Sequence, residues 1–513
     1  MPTPKDILAV PRPKNTVVVT YGKDRDRYAV RRRVGCRYVK GRHVPVTGPT
    51  VGHIVGGAFV PLEERPPVAR REAELKDWAV IELADRCFAD VFGELSRVYN
   101  GADARRIWCI ALLRVCYPGI PDCELKERYE TSFLSEKYPG VALSRNAVCK
   151  FQNDLGKACS RIIEFMRNRT ATVGADAHLL VDGTLKSDES RVNTLSDFSR
   201  KARTKGSRDI SVLYAFDLEA QEPVCSKCFP GNMLDVTAYG AFMEECGVEK
   251  GLVVADRGFP ASAAAEHRAR HPGLHYLNPV KRNSRFIETH RMLEFDAPVP
   301  GREGVLCRKA ECRGERKWLY SFRDAEKAAA EERSWLARAG AKGTYDRAGY
   351  ERQRRRFGTI VLECDLDLPP ETAYKAYEER WQIEIVMRYY KNACGFDETR
   401  VQDDYSVIGS EFCDFLASVL TFRLLKAFDR ADLLGKSTYS RLLSVLRRAK
   451  QIRWPDDGWR PIKLAPSQET VLRTLGLLPS PLQPPPRKRG RPRKPPQPAP
   501  SSTVSLQELP IST

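Results

Sequence analysis

The sequence predicts an α/β protein in which a mixed sheet is flanked by helices. Two observations support this class. Strand-like apolar runs alternate with helical stretches between about 173 and 285, a pattern typical of a sheet covered by helices. Hydrophobic residues make up 42% of the 513-residue chain and charged residues 29%, so the chain can bury a core of ordinary size.

Two regions precede this alternation. Residues 1–70 predict a small basic β-rich unit, because they contain short alternating stretches such as TVVVTYG and RYAVRRRVG. Residues 71–172 carry helical periodicity, with Ser144 as a candidate N-cap before RNAVCKFQNDLGKACSRIIEFM. The helical region is interpreted either as a helix-turn-helix-like binding module or as a packing domain, and both interpretations stay open.

The sheet itself is predicted from short β-prone runs. Residues 173–285 and 358–475 are expected to form the two parts of one domain, and 286–357 an insertion that contains a hairpin and a charged helix. Residues 476–513 are rich in Pro and clustered charges, which predicts a disordered tail. The predicted strands are HLLVDGT (178–184), DISVLYAFDLE (209–219), PVCSKCF (223–229), GLVVADRGF (251–259), LHYLNPVKRN (274–283) and GTIVLECDLDL (358–368).

The chain is strongly basic. It holds 85 Lys and Arg against 66 Asp and Glu, a formal net charge of +19. Such an excess favours a polyanionic partner, because each neutralised phosphate releases counterions. An anionic membrane would also attract this charge, but no signal-peptide stretch and no run of membrane-spanning length is present. We therefore expect a cytosolic protein with no membrane association.

The 15 cysteines fit reduced thiols better than a disulfide framework. Two pairs, Cys225/Cys228 and Cys307/Cys312, have the residue type for a four-thiolate zinc site. The first pair lies in a strand-like segment, where side chains three residues apart do not converge easily.

Two carboxylates follow buried strands. Asp182 comes after the run LLV and Asp256 after LVVA. A rigid sheet fixes side chains at strand ends while ligands still reach them. An aspartate at such a position, taken alone, is more often a turn or capping residue.

A helical segment near 377–391 adds a third carboxylate. Tyr377, Arg380, Glu384 and Lys391 fall within about 60° of arc on one helix face. The alternative is a solvated face with an Arg380–Glu384 pair worth a few tenths of a kcal/mol.

The spacing Tyr-x2-Arg-x3-Glu-x6-Lys resembles the signature of a large group of bacterial insertion-sequence transposases of the DDE type. Three further segments resemble the same group, in the same order: VDGT around Asp182, PGNMLD at 230–235 and ADRGF around Asp256. The resemblance covers roughly 175–430. It implies an RNase H-like catalytic domain in a transposable-element protein that cleaves transposon ends and transfers the 3′-hydroxyl strand into target DNA.

The resemblance also implies roles for individual residues. Asp182, Asp256 and Glu384 would be catalytic and would hold Mg²⁺ or Mn²⁺, expected as two ions, because an all-carboxylate set is a hard oxygen site. Arg380 and Lys391 would hold phosphates and Tyr377 would donate to one, with Arg257 and Asn232 as further candidates for DNA contact. The expected partners are double-stranded DNA, as terminal inverted repeats and target, and a second copy of the chain.

The tail segment KRGRPRK resembles an AT-hook, in which Arg489 and Arg491 would enter an A·T-rich minor groove. An unspecific polybasic tail is the alternative. For the whole protein two other functions stay open: a transposase-derived DNA-binding protein without catalysis, and a simple RNase H-like nuclease.

Overall fold

The chain forms two compact units. One comprises Met1–Glu74 with Trp454–Gly458, and the other Leu75–Arg453 with Trp459–Thr513. The predicted disordered tail, from residue 480 onward, lies outside the described residues. The computed structural model describes residues 3–22, 27–39, 41–62, 73–188, 190, 192–199, 206–233, 235–255, 259, 261–388, 395–399, 401–455 and 457–479.

The first unit is an antiparallel sheet. Its described elements are α1 (Lys5–Ala9), β1 (Thr16–Tyr21), β2 (Arg27–Val39), β3 (Arg42–Val55) and β4 (Ala58–Pro61). The four strands are neighbours in the sheet in the same order as in the sequence, β1-β2-β3-β4. They lie in the region where the alternating sequence pattern predicts strands. A small apolar core is formed by Val10, Val18, Val30 and Ile54.

A helical region follows. Its elements are β5 (Glu74–Asp77), α2 (Ala79–Val98), α3 (Gly101–Cys116), α4 (Leu125–Glu130), α5 (Leu134–Lys137), α6 (Arg145–Lys157) and α7 (Cys159–Ala171). Asn100 caps α3, since its side-chain oxygen accepts from the N–H groups of Ala102 and Asp103. Ser144 precedes α6 as predicted, but its side chain makes no capping hydrogen bond.

The main sheet is mixed and contains ten strands within the described residues, in the order β12-β13-β14-β15-β11-β10-β6-β8, with β7 and β9 both pairing with β8. Its elements, with the intervening helices, are β6 (His178–Ser187), β7 (Asp197–Phe198), β8 (Arg208–Asp217), β9 (Glu222–Pro230), α8 (Asp235–Glu245), β10 (Gly251–Ala255), α9 (Ala265–Arg270), β11 (Leu274–Pro279), α10 (Arg285–Thr289), β12 (Ala297–Pro298), β13 (Val305–Cys312), β14 (Lys317–Asp324), α11 (Ala325–Lys342), α12 (Arg347–Arg354) and β15 (Thr359–Cys364).

Five of these strands give the sheet its RNase H-like arrangement. The antiparallel meander β6, β8, β9 is extended on the other side of β6 by β10 and β11, which run parallel to it. The predicted insertion contributes β12, β13 and β14, and β15 then returns to pair antiparallel with β11. The predicted fold class, with its inserted β-containing segment and helical N-terminal region, is confirmed.

The last described elements cover and close the second unit. They are α13 (Pro370–Arg388), α14 (Asp404–Arg430), α15 (Tyr439–Arg448), β16 (Lys450–Arg453), β17 (Arg460–Pro461) and α16 (Pro466–Thr474). Where α6 crosses α14, the backbones approach closely: a Cβ on Gly156 would lie 1.8 Å from the Tyr405 carbonyl oxygen, and one on Gly409 would lie 2.1 Å from that of Gln152. One apolar core joins these helices to the sheet, which favours the packing interpretation of the helical region.

The two cysteine pairs considered for zinc lie far apart. Cys225 and Cys228 are on β9, and Cys307 and Cys312 are on β13. Six strands lie between β9 and β13 in the sheet, so the two strands are about 34 Å apart at the usual strand spacing. A shared four-thiolate site is therefore wrong for this fold.

Within the described residues, every helix is either too short or too polar to traverse a bilayer.

Candidate active site

Asp182 lies in the middle of β6, directly after a buried run. Leu179, Leu180 and Val181 are almost fully buried, as expected for a central strand covered on both faces. Asp182 is half-buried, and its Oδ1 accepts a 2.8 Å hydrogen bond from the backbone N–H of Gly183. Because side chains alternate along a strand, Asp182 shares a face of the sheet with Leu180.

The neighbouring strand β10 ends beside this position. β10 is parallel to β6, and its last residue, Ala255, pairs with Val181. Asp256 is the next residue in the sequence and lies outside the described residues. The register therefore brings the carboxyl end of β10 level with Asp182.

Helix α13, which contains Glu384, packs against both β6 and β10. It begins at Pro370, whose fixed φ suits the first turn of a helix. Ala373 and Tyr374 are buried in the same apolar cluster as Leu180, so α13 covers the face of the sheet to which Asp182 belongs. The backbone at Glu384 is helical, and its side chain is outside the described part of the structure.

Tyr377 and Arg380, one turn apart on α13, are brought together. The Arg380 guanidinium carbon lies 5.5 Å from the centroid of the Tyr377 ring, within the range of a cation–π contact. Both side chains are half-buried and line a cavity of about 190 Å³ between α13 and the inserted segment. Part of the Tyr377 ring packs on the core, so this residue also has a structural role.

Two further cations line the same cavity and were not among the sequence-predicted residues. Arg282 donates to Glu331 over 2.7 Å, and Lys327 lies 3.2 Å from Asp324. Burial opposes the charge on Lys327 and would lower its pKa, but the hydrogen bond to Asp324 and the nearby acidic groups together outweigh burial and raise the Lys327 pKa, so this amine stays protonated. The sequence signal for Arg282 was the basic pair Lys281-Arg282 shortly after the strand β11. Lys327 lies on the charged helix α11, and no sequence signal singled it out.

The remaining predicted residues are not gathered at this cavity within the described structure. Asn232 follows β9, is exposed, and donates a 2.6 Å hydrogen bond from its amide nitrogen to Asp197. The other predicted DNA-contact residues lie outside the described residues: Arg257, Lys391, Arg489 and Arg491.

The sequence-predicted acids are Asp182 on β6, Asp256 directly after β10 in the sequence, and Glu384 on α13. Carboxylates are oxygen donors, which hard divalent cations prefer. Within the described residues, no three His, Cys, Asp or Glu side chains are grouped to hold a metal ion. That statement leaves out Asp256 and the side chain of Glu384, which are not described.

The strand order and the helix over β6 and β10 define an RNase H-like domain. Residues 174–406 match the family model of the transposase DDE domain, a range that runs from just before β6 into the start of α14. The chain therefore carries a transposase DDE domain, which confirms the resemblance predicted from the sequence motifs and supports a role in transposition, with DNA as partner. No curated protein matches the chain.

Proposed function

We propose that this protein is a transposase that cleaves DNA at the ends of an insertion sequence and joins the exposed 3′-hydroxyl to target DNA. Asp182, Asp256 and Glu384 form its catalytic triad. The observation that carries the proposal is the parallel register of β6 and β10 at Val181 and Ala255, with α13 packed against both strands. This arrangement supports a common location for the three acids, which are far apart in the sequence.

The proposed reaction has two displacements at phosphorus. Water attacks the phosphodiester at the element end, a bond from water oxygen to phosphorus forms, and the bond to the 3′-oxygen breaks. The freed 3′-hydroxyl then attacks a target phosphodiester and displaces another 3′-oxygen. The three carboxylates would hold two Mg²⁺ or Mn²⁺ ions, which when bound stabilise the charge on the attacking and leaving oxygens.

Other residues of the chain would hold the DNA. Arg380 would grip a phosphate as a bidentate donor and Lys391 as a point charge, while Tyr377 would donate one hydrogen bond. Arg257 and Asn232 are proposed as additional contacts. Arg282 and Lys327 line the cavity with Tyr377 and Arg380 and would add positive charge beside the cut strand.

Other contacts and the assembly are also part of the proposal. Arg489 and Arg491 in the basic tail would bind the minor groove of A·T-rich DNA. We propose a homodimer on two element ends, acting in the bacterial cytosol.

The decisive experiment measures cleavage and strand transfer on a labelled duplex that carries the inverted repeat flanking the gene, with Mg²⁺ or Mn²⁺. Wild type is compared with Glu384→Ala and with Glu379→Ala. Glu379 lies on the same helix, and among the described side chains its ion-pair contact is the 3.8 Å one with the exposed Lys375. It is therefore a matched control for loss of a helix carboxylate.

We expect wild type and Glu379→Ala to cut and join, and Glu384→Ala to bind without cutting. If neither wild type nor control cuts with either ion although both bind the repeat, the protein is a DNA-binding protein without catalysis. Cutting without joining would favour a simple RNase H-like nuclease. If Glu384→Ala cuts as well as wild type, the triad assignment is wrong.

A further inference from the structure

The N-terminal unit carries a two-stranded ribbon that extends beyond its own sheet. β1 pairs with β2 only as far as Arg32, and β4 pairs with β3 only from Gly52. The residues of β2 from Arg31 to Val39 are all exposed. The outer half of the β2–β3 hairpin is therefore a ribbon about 20 Å long at the usual rise per residue, with its inner end fixed by the small apolar core.

The ribbon is basic, and the sequence segment that contains it has no acidic residue to balance this charge. From residue 27 to residue 62 the sequence has no Asp or Glu, whereas the whole chain has 66 acidic for 85 basic residues. None of the described arginines of the ribbon has an ion pair or hydrogen bond with a described side chain. The seven basic residues of segment 27–62 are Arg27, Arg31, Arg32, Arg33, Arg37, Lys40 and Arg42, of which Arg33, Arg37 and Arg42 lie on the strands of the ribbon.

The register at the outer end separates two kinds of side chain. Arg37 pairs with Val44 and Val39 with Arg42, so Arg37 and Arg42 share one face of the ribbon. On the other face Tyr38 pairs with His43, and their rings contact edge to face with centroids 5.0 Å apart. Tyr38 is 68% exposed.

The shape of the ribbon is also specific. Three register shifts occur between Val30 and Gly35, and bulges of this kind increase the right-handed twist of a hairpin. A twisted two-stranded ribbon fits the major groove of B-form DNA, which is about 12 Å wide. The narrow, deep major groove of A-form RNA does not admit it.

We propose that the β2–β3 ribbon is a docking arm for duplex DNA that enters the major groove and contacts phosphates through Arg33, Arg37 and Arg42. The identity of the polyanion rests on the proposed function. The binding surface itself is independent of the catalytic residues.

The test measures binding of full-length protein to a 30-base-pair fluorescent duplex by anisotropy over a range of salt concentrations. The ribbon variant is Arg33→Gln/Arg37→Gln/Arg42→Gln. The control, Arg347→Gln/Arg354→Gln/Arg355→Gln, removes the same charge from the exposed surface around α12. Circular dichroism melting verifies that both variants fold, as expected for exposed positions.

We expect the ribbon variant to bind DNA at least 10-fold more weakly and the control less than 3-fold more weakly. The slope of log K against log salt should fall by up to about 3, because each lost phosphate contact contributes about 0.9. Wild type should prefer the DNA duplex to an RNA duplex of the same sequence, and this preference should shrink in the ribbon variant.

Three results overturn the proposal: wild-type affinity in the ribbon variant, an equal loss in the control, or a loss that is the same for RNA and for anionic vesicles. Catalysis is scored separately with Asp182→Asn. If no protein cuts but binding still depends on the ribbon, the catalytic proposal fails alone. If cutting requires Asp182 but the ribbon variant binds normally, the docking proposal fails alone.

Discussion

Strand β6 carries two charged residues on one face, four positions apart, in opposite environments. The β6–β8 register is regular from Leu179 to Ser187, so Asp182 and Lys186 lie on the same side of the sheet. Asp182 is half-buried beside the end of β10. Lys186 is fully buried.

The buried amine is neutralised by α14. Lys186 forms ion pairs with Glu411 and, over 3.0 Å, with Asp414. Asp414 also accepts from Arg114 of α3 over 2.7 Å, and Arg114 contacts Asp122. The network joins the main sheet to the helical region through α14.

The difference between the two positions shows which part of β6 is held in place by packing and which part a ligand can contact. Burying a charge is costly unless it is paired, so the Lys186 network tolerates little movement of β6 relative to α14. Asp182, on the same face in the middle of β6, is half-buried and therefore partly accessible to solvent. We therefore propose a stabilising role for Lys186 and a chemical role for Asp182.

The largest expected effect is on activity. Asp182→Asn should lower cleavage by about 1,000-fold or more, equivalent to ~4 kcal/mol of transition-state stabilisation, because an amide is a poor ligand for a divalent cation. Single-turnover cleavage and thermal melting measure the two quantities, and the melting temperature should barely change. A variant that melts much earlier would show that Asp182 is structural and would break the comparison.

Lys186→Met should instead lower the stability of the protein. Removal of the amine takes one buried cation away from Glu411 and Asp414 while Arg114 remains, and we expect a loss of about 3 kcal/mol in the free energy of unfolding. Denaturant unfolding measures it. The control Lys436→Met removes an exposed i,i+4 partner of Asp432 and should change stability by no more than about 0.5 kcal/mol. Equal effects in both variants would contradict the assignment.

Gly156→Ala tests the packing of α14 against α6 without changing a charge. The added Cβ would meet the Tyr405 carbonyl at 1.8 Å, so α14 must move away from α6, at an expected cost of about 2–3 kcal/mol. The matched change Gly93→Ala in α2 meets nothing within 4 Å and should stabilise the protein by about 0.5–1 kcal/mol. Unfolding curves of the two variants should therefore shift in opposite directions, and a shared direction would argue against a tight α6–α14 crossing.

The smallest expected effect concerns pH at a second buried cluster. Glu222 on β9 lies between Arg169 and Arg423. Burial would raise the pKa of Glu222, but the hydrogen bond from Arg423 and the charges of both arginines outweigh it and lower that pKa from 4.5.

A lowered folded-state pKa contributes stability that is present above the unfolded value of 4.5 and is lost as the pH falls through the folded value. Glu222→Gln should cost about 2 kcal/mol at pH 7, and the difference from wild type should shrink below about pH 4.5. Melting temperatures between pH 3 and pH 7 measure it, with the exposed Glu130→Gln as control. A difference independent of pH would exclude an electrostatic origin.

The sequence predicted the parts that depend on local pattern. Apolar runs before Asp182 and Asp256 predicted β6 and β10, and the helical spacing of Tyr377, Arg380 and Glu384 predicted α13. It did not predict the Lys186 network, because Glu411 and Asp414 lie more than 200 positions away and have no local signature. Nor did it predict the cavity cation Lys327, which reaches α13 only through the fold of the insertion.

The pairing of β15 has a consequence for the order of folding. β15 pairs with β14 at six positions, from Trp318↔Cys364 to Arg323↔Thr359, but with β11 at only three. Direct pairing with β11 would close the whole intervening segment at a large cost in chain entropy, whereas the β13–β14 hairpin is local and forms sooner. We therefore expect the inserted hairpin to form before β15 pairs with β11, and α13 with Glu384 to pack on β6 only after that step.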